Sequence, residues 1–169
     1  MKYPQLKCFA DVLPDLDRFS TIIDVRSQDE FAEDHIPNAI NCPVLNNQER
    51  ILVGTTYKQI GSFEAKKIGA SLTAKNIAYH LETQFSHHKK DWRPLVYCWR
   101  GGNRSGSLAH VLAKIGWAVV QIDGGYKDYR RYINAELPAL AAQIQWRVIC
   151  GTTGSGKSRL LHALSKQGA

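Results

Sequence analysis

What the sequence lacks sets the first limits. Its four cysteines, Cys8, Cys42, Cys98 and Cys150, form no C-x-x-C pair and stand at no His/Cys spacing that holds zinc. Neither a structural metal nor a disulfide framework is expected. No apolar run approaches the roughly 20 residues that span a bilayer. The first ten residues, with Lys2 and Lys7 among them, have no continuous apolar stretch and no small-residue cleavage site, so they do not read as a signal peptide. No membrane association and a cytoplasmic location are the expectations. Repeats and low-complexity tracts are also missing. Acidic residues are in the minority: 15 Asp and Glu against 22 Lys and Arg leave a net charge of +7. The basic residues are scattered, which fits either a solvated surface or a face for a polyanion.

What is there is the composition of a globular protein, 44% hydrophobic and 22% charged over 169 residues, long enough for one domain and a little more. Residues 20–25 (STIIDV) read as a buried strand carrying Asp24 and Arg26 at its C-terminal end. Ser27 to Glu30 fit a capping box that opens a short helix. Pro37 and Asn38 end it, and residues 39–42 return as a second strand. Residues 46–63, broken by Gly54 and Gly61, read as a partly helical excursion. Ile68, Leu72, Ile77, Leu81 and Phe85 fall on helical spacing, predicting an amphipathic helix over 64–85. His87 and His88 close it as solvated loop residues, with no third ligand at a metal-binding spacing. A third strand over 95–98 leads through a glycine-rich loop to a helix over 105–115. A fourth strand over 117–122 then turns at Asp123-Gly124-Gly125 into a helix near Tyr126. Alternating strands and helices predict an α/β fold with a parallel sheet flanked by helices. Residues 146–150 read as a fifth strand that starts a new unit, giving expected domains over 1–138 and 145–169.

The chemistry concentrates at Cys98-Trp99-Arg100-Gly101-Gly102-Asn103-Arg104-Ser105. A cysteine at a strand's C-terminal end, two consecutive glycines and a helix start make a cradle of inward-pointing N–H groups with positive potential from the helix dipole. With Arg100 and Arg104 close by, Cys98 is expected to present its sulfur as the nucleophilic thiolate. Cys8 and Cys42 have no comparable loop and read as structural.

Asp24-Val25-Arg26, Glu30-Phe31, residues 35–41 (HIPNAIN), the Cys98 loop and Asp123-Gly124-Gly125-Tyr126 together resemble the signatures of rhodanese domains. The resemblance covers roughly residues 10–135. In that family the cysteine takes a sulfur atom from a donor and holds it as a persulfide among loop N–H groups, here those of Trp99, Arg100, Gly101, Gly102, Asn103 and Arg104. Asp24 and Arg26 would brace the loop by ion pairing. Cys98-x5-Arg104 also satisfies the cysteine-phosphatase signature. Against that reading stand Tyr97, where phosphatases usually carry His, and the composition of the loop itself.

A second motif, Gly151-Thr152-Thr153-Gly154-Ser155-Gly156-Lys157-Ser158, matches G-x-x-x-x-G-K-[ST] after an apolar run. Gly151, Gly154 and Gly156 would let the backbone wrap a diphosphate, Lys157 would neutralise its oxygens, and Ser158 would reach Mg²⁺ in a longer form. Eleven residues follow Ser158, so the expectation is a truncated P-loop domain with weak binding of its own. A rhodanese domain followed by a P-loop, with residues 46–50, 53–55 and 57–61 between strands, resembles the tRNA 2-selenouridine synthase family. That resemblance implies replacement of the sulfur of wobble 2-thiouridine in the anticodon region of tRNA by selenium from selenophosphate. Geranyl diphosphate would be a co-substrate whose geranyl group turns the sulfur into a better leaving group. Cys98 would carry the chalcogen, and no tightly bound cofactor is implied. The alternatives are a general sulfurtransferase working through a Cys98 persulfide, a cysteine phosphatase, or a silent rhodanese-fold binding module. The intact Cys98 speaks against the last.

Overall fold

The computed structural model describes residues 3–168; Met1, Lys2 and Ala169, at the outer ends of the two expected domains, lie outside the described residues. The chain divides into two compact units, one running to Ala135 and the other from Glu136.

In the first unit, β1 (Gln5–Lys7) leads into α1 (Phe9–Val12) and a 3-10 turn over Leu13–Arg18. Then come β2 (Thr21–Asp24), α2 (Gln28–Glu33), β3 (Ala39–Asn41), α3 (Asn47–Gln59) and α4 (Ser62–His80), which ends in a π-helical turn over Leu81–Phe85. β4 (Pro94–Tyr97), α5 (Asn103–Ile115), β5 (Val120–Ile122) and α6 (Gly125–Ala142) follow. The five strands are parallel in the order β1-β5-β4-β2-β3. Helices cover both faces, so the inner strands β2 and β4 are buried on both sides. Ile23, Val25, Val96 and Cys98 pack with Ile77, Leu108 and Leu112 on one face, while Ile22, Leu95 and Tyr97 pack with Phe9, Val12 and Tyr126 on the other. Each such aliphatic side chain stabilises the fold by about 1.5–3 kcal/mol. The register aligns Asn41 with Asp24 and Asp24 with Tyr97. The C-terminal ends of three adjacent strands therefore form one rim, the edge where open parallel sheets place their sites.

Local signals account for the helix starts. The expected capping box at Ser27 and Glu30 forms. A second joins Asn46 and Glu49, each bond 2.9 Å, and starts α3 where only partial helix is expected. Gly54 does not interrupt α3, since one glycine inside a helix costs only about 1 kcal/mol. Two expectations are corrected. β1 was not anticipated: Gln-Leu-Lys has no apolar run and forms an edge strand only because β5 offers it a ladder. Residues 146–150 are not a strand; within the unit from Glu136 the described residues offer this run no neighbouring strand to bond, and a lone strand leaves its backbone groups unpaired. That unit holds instead the end of α6, which runs through Pro138, and α7 (Lys157–Lys166). Among the described residues no helix is long and apolar enough to cross a membrane.

Candidate active site

Cys98 is the first residue after β4 and is 3% exposed. Gly101, at φ +66°, turns the loop back so that a Cβ there would lie 2.5 Å from the Ile122 carbonyl oxygen. Gly125, at φ +59°, presses against the same loop from the closing turn, and a Cβ on it would lie 2.2 Å from the Cys98 carbonyl oxygen. Only glycine fits either place. The turn is fastened by Tyr126 N–H donating to Cys98 O (2.8 Å) and Lys127 N–H to Trp99 O (3.0 Å). In contrast, the backbone N–H groups of Trp99, Arg100, Gly101 and Gly102 have no hydrogen-bond partner among the described residues. With α5 starting immediately after them, they are free donors at a helix N-terminus, an arrangement that favours an anion.

Two residues that sequence reasoning gave no role complete this centre. Ser105 Oγ lies 3.2 Å from Cys98 Sγ and 3.2 Å from Gly102 O. Gln121 Nε2 donates to Ser105 Oγ (3.1 Å) and to Gly101 O (2.6 Å). Because Gln121 supplies a proton to the serine oxygen, the serine's own proton is available to the sulfur or to Gly102 O. The signal for Gln121 was present as a polar residue inside the apolar run of β5, where it is 5% exposed.

The basic residues divide. Arg100 is exposed and has no ion-pair or hydrogen-bond partner among the described residues. Arg104 is engaged with Glu30, at 2.8 and 3.3 Å, and Arg50 meets the same carboxylate at 2.9 Å. Burial pushes the Glu30 pKa up, but the hydrogen bond and charge of Arg104, the charge of Arg50 and the Ser27 N–H outweigh it and hold the group below its ordinary value. Asp24 and Arg26 form a pair 0% and 1% exposed, with Nη2 to Oδ2 at 2.7 Å, and Arg26 Nη2 also donates to Asp34 O at 2.6 Å. Burial works against the Arg26 charge, yet the hydrogen bonds and attraction of Asp24 leave its pKa raised. The guanidinium lies 4.0 Å from the centroid of the Tyr126 ring, and Trp99, 40% exposed, stands 5.6 Å from that ring. The buried pair thus supports Tyr126, which carries the closing turn.

Gly151, Gly154, Gly156, Lys157 and Ser158 lie in the unit from Glu136. Gly154 and Gly156 take left-handed φ values of +83° and +82°, and Lys157 opens α7. Its ammonium group donates to Gly151 O (2.8 Å) and Thr152 O (2.7 Å) of its own loop. Among the described residues no three His, Cys, Asp or Glu side chains cluster as metal ligands.

Comparison with known proteins agrees with the fold. The chain is 40% identical over 147 residues to the tRNA 2-selenouridine synthase of Nitrosomonas europaea, covering 85% of this chain and 38% of that protein. It is 38% identical to the enzyme of the same name from Sulfurovum sp., covering 85% and 40%. The chain therefore spans about two fifths of the length of these curated relatives. Among solved structures, the N-terminal domain of a protein named for ATP/GTP binding from Clostridium difficile 630 superposes with a TM-score of 0.63 at 34% identity, covering 76% of this chain and 98% of that one. A rhodanese-related protein from Thermoplasma volcanium, at 20% identity and a TM-score of 0.50 over 76% of this chain and 92% of that one, shares the fold. The family described as rhodanese-like domain matches residues 10–132, and the chain belongs to that family.

Proposed function

We propose that this chain provides the chalcogen-transfer site of a tRNA 2-selenouridine synthase, acting on the wobble 2-thiouridine in the anticodon region of tRNA. The observation that carries the reading is a strand-end cysteine whose sulfur meets a serine hydroxyl at 3.2 Å, followed by four residues whose backbone N–H groups have no partner among the described residues. A cysteine only 3% exposed as a residue is too buried to reach a base in RNA by itself. A chalcogen carried on it stands one bond further out.

The balance of each step assigns the donors. With thiosulfate, the Cys98 thiolate attacks the outer sulfur, the S–S bond breaks, and sulfite leaves with the electron pair; a persulfide remains. Selenophosphate carries selenium at the selenide level, so placing that selenium on the Cys98 sulfur requires loss of two electrons to an acceptor. Without an acceptor, the balanced route runs on the RNA. The thiouridine sulfur displaces diphosphate from geranyl diphosphate, selenophosphate adds at the same base carbon, and geranylthiol leaves. Water then cleaves the Se–P bond to give phosphate. In that route the loop N–H groups and Arg100 hold the selenophosphate oxygens. In a longer form the diphosphate would fall to the Gly151–Ser158 loop, where Lys157 would have to release the carbonyls of Gly151 and Thr152 and Ser158 would reach a Mg²⁺ that helps neutralise it. The site is that of a cytoplasmic enzyme, and the scattered positive charge serves phosphate contacts with tRNA.

A general sulfurtransferase shares the first step and differs in passing sulfur to a small acceptor. The phosphatase reading is weakened because Arg104, the arginine that would clamp the phosphoryl group, is engaged by Glu30.

The test is intact mass and RNA nucleoside analysis after incubation with thiosulfate or selenophosphate, using wild type and Cys98→Ser. Expected are a reducible one-sulfur adduct from thiosulfate on wild type alone, and 2-selenouridine in a geranylated 2-thiouridine RNA; its loss with Cys98→Ser would give the cysteine a part in the step at the base carbon, and its retention would confine Cys98 to sulfur transfer. Thiocyanate formation from thiosulfate and cyanide without any product on RNA moves the general sulfurtransferase ahead. No adduct and no RNA product sinks chalcogen transfer altogether.

A further inference from the structure

Beside the end of β3 lies a cavity of about 370 Å³ that the chemistry at Cys98 does not use. None of its lining residues is charged as Lys, Arg, Asp or Glu, and five are carboxamides. Their free groups follow from the bonds they already make. Asn41 donates through Nδ2 to Asp24 O (3.1 Å) and Arg26 O (2.9 Å). Asn76 donates through Nδ2 to Val44 O (3.1 Å) and Glu49 Oε2 (2.7 Å). With both hydrogens engaged, each amide keeps only its carbonyl oxygen, and neither oxygen has a partner among the described residues. Gln28 and Asn46 are the reverse. Their oxygens accept from Asn47 N (3.2 Å) and Glu49 N (2.9 Å), which leaves the NH₂ groups as donors. Gln84, exposed and unpartnered among the described residues, and the Tyr79 ring, 59% exposed, stand at the same cavity. His80 backs it, with Nε2 on Pro43 O at 2.9 Å and a buried Nδ1 that has no partner.

Two fixed acceptors, two fixed donors and an exposed aromatic ring match the edge and the face of an unstacked nucleobase. A free anion finds no cation in this wall, and a hydrocarbon would leave four amide groups without partners. The place also fits. Asn41, Asp24 and Tyr97 are in register on three adjacent strands, so roughly 10 Å separates the cavity's edge from the residue before Cys98.

We propose that this cavity takes one nucleobase of the RNA substrate, from the single-stranded loop that carries the reacting nucleotide. The inference rests on the proposed action on tRNA and names the side chains that read it. A paired base does not serve, because its Watson–Crick edge is bonded to its partner and its faces are stacked.

The test is fluorescence anisotropy of the full chain with a labelled anticodon stem-loop RNA carrying 2-thiouridine at the wobble position, and with the same RNA made abasic at each other loop position in turn. Tyr79→Ala and Gln84→Ala, both surface changes, are compared with wild type, and thermal melting confirms that each is folded. Each variant is expected to bind the intact RNA roughly tenfold more weakly. At one loop position the abasic RNA binds wild type roughly tenfold more weakly as well, and there Tyr79→Ala causes no further loss, since base and ring act on one another. The inference is overturned if both variants bind like wild type, or if the Tyr79→Ala loss is the same with every abasic RNA, which would place the ring against the backbone. In both cases wild-type binding leaves the proposed function standing. Absence of any wild-type binding to the stem-loop overturns both.

Discussion

Cys42 and Cys98 each stand one residue past the end of a parallel strand, β3 and β4, on either side of β2. They are 2% and 3% exposed and belong to the same apolar cluster. After Cys42 the chain stays packed: Cys42 N–H donates to Asp24 O (2.9 Å) and Val44 N–H to Val25 O (3.2 Å). Burial, and then the charge of Asp24, push the Cys42 thiol up to about 12. After Cys98 the chain opens into a loop of free N–H groups and a helix start. Burial and a strand end do not make a nucleophile, and the segment that follows does.

Replacing each cysteine in turn tests that difference most strongly. Cys98→Ser should abolish formation of a persulfide from thiosulfate, read by intact mass, while Cys42→Ala should retain it at a cost in stability of about 1–3 kcal/mol from the small cavity left behind. Loss of the adduct in a folded Cys42→Ala protein would break the comparison.

The loop can also be removed as a cause while its cysteine is kept. Gly125→Ala places a methyl group 2.2 Å from the Cys98 carbonyl oxygen at φ +59°. Overpacking and the left-handed backbone together should cost about 3 kcal/mol or more. Urea unfolding should show that loss, and persulfide formation should fall with it. Gly54→Ala, in open space within α3, is the control and should stabilise by up to about 1 kcal/mol.

Ser105→Ala makes a finer cut. It deletes the hydroxyl 3.2 Å from Sγ and leaves the N–H groups in place. One hydrogen bond contributes about 1 kcal/mol, so persulfide formation should slow roughly five- to tenfold, while the Gln121 amide left short of a partner lowers stability by about 1–3 kcal/mol. An unchanged rate would assign the serine proton to Gly102 O.

How far the sequence reveals this depends on whether the cause is local. STIIDV and LVY are strands because both faces are buried, and their apolar runs say so. The Cys98 loop was legible because Gly101 answers a need for close approach that no other residue meets, although its neighbour Gly102 stands in open space. Ser105 and Gln121 were not, since the serine's role comes from an amide on another strand. β1 is equally non-local: nothing in Gln-Leu-Lys marks it, and only the ladder of β5 creates it. At residues 146–150 the error runs the other way, an apolar run read as a strand without asking what would pair with it. Arg104 looked like an anion ligand from its spacing, and its engagement by Glu30 depends on how α2 meets α5.

The smallest effect reads the burial of Cys42 by pH. The Cys42 pKa is raised in the folded protein, so above the unfolded thiol's pKa, about 8.5, the folded state holds a proton that the unfolded state releases. Its contribution is present in full below that pH and is lost as pH rises towards 12, by at most about 1.4 kcal/mol per unit. Tyr97 adds to the same alkaline loss above the unfolded tyrosine's pKa, about 10, because burial and then the Asp24 charge raise it too. Urea unfolding between about pH 8 and 9.5 reads chiefly the cysteine, since an unfolded tyrosine begins to ionise only near the top of that window. Wild type should lose stability across it, and Cys42→Ala, less stable at pH 8, should lose distinctly less. Equal slopes would mean that Cys42 ionises as easily folded as unfolded, and the contrast with Cys98 would then rest on the loop alone.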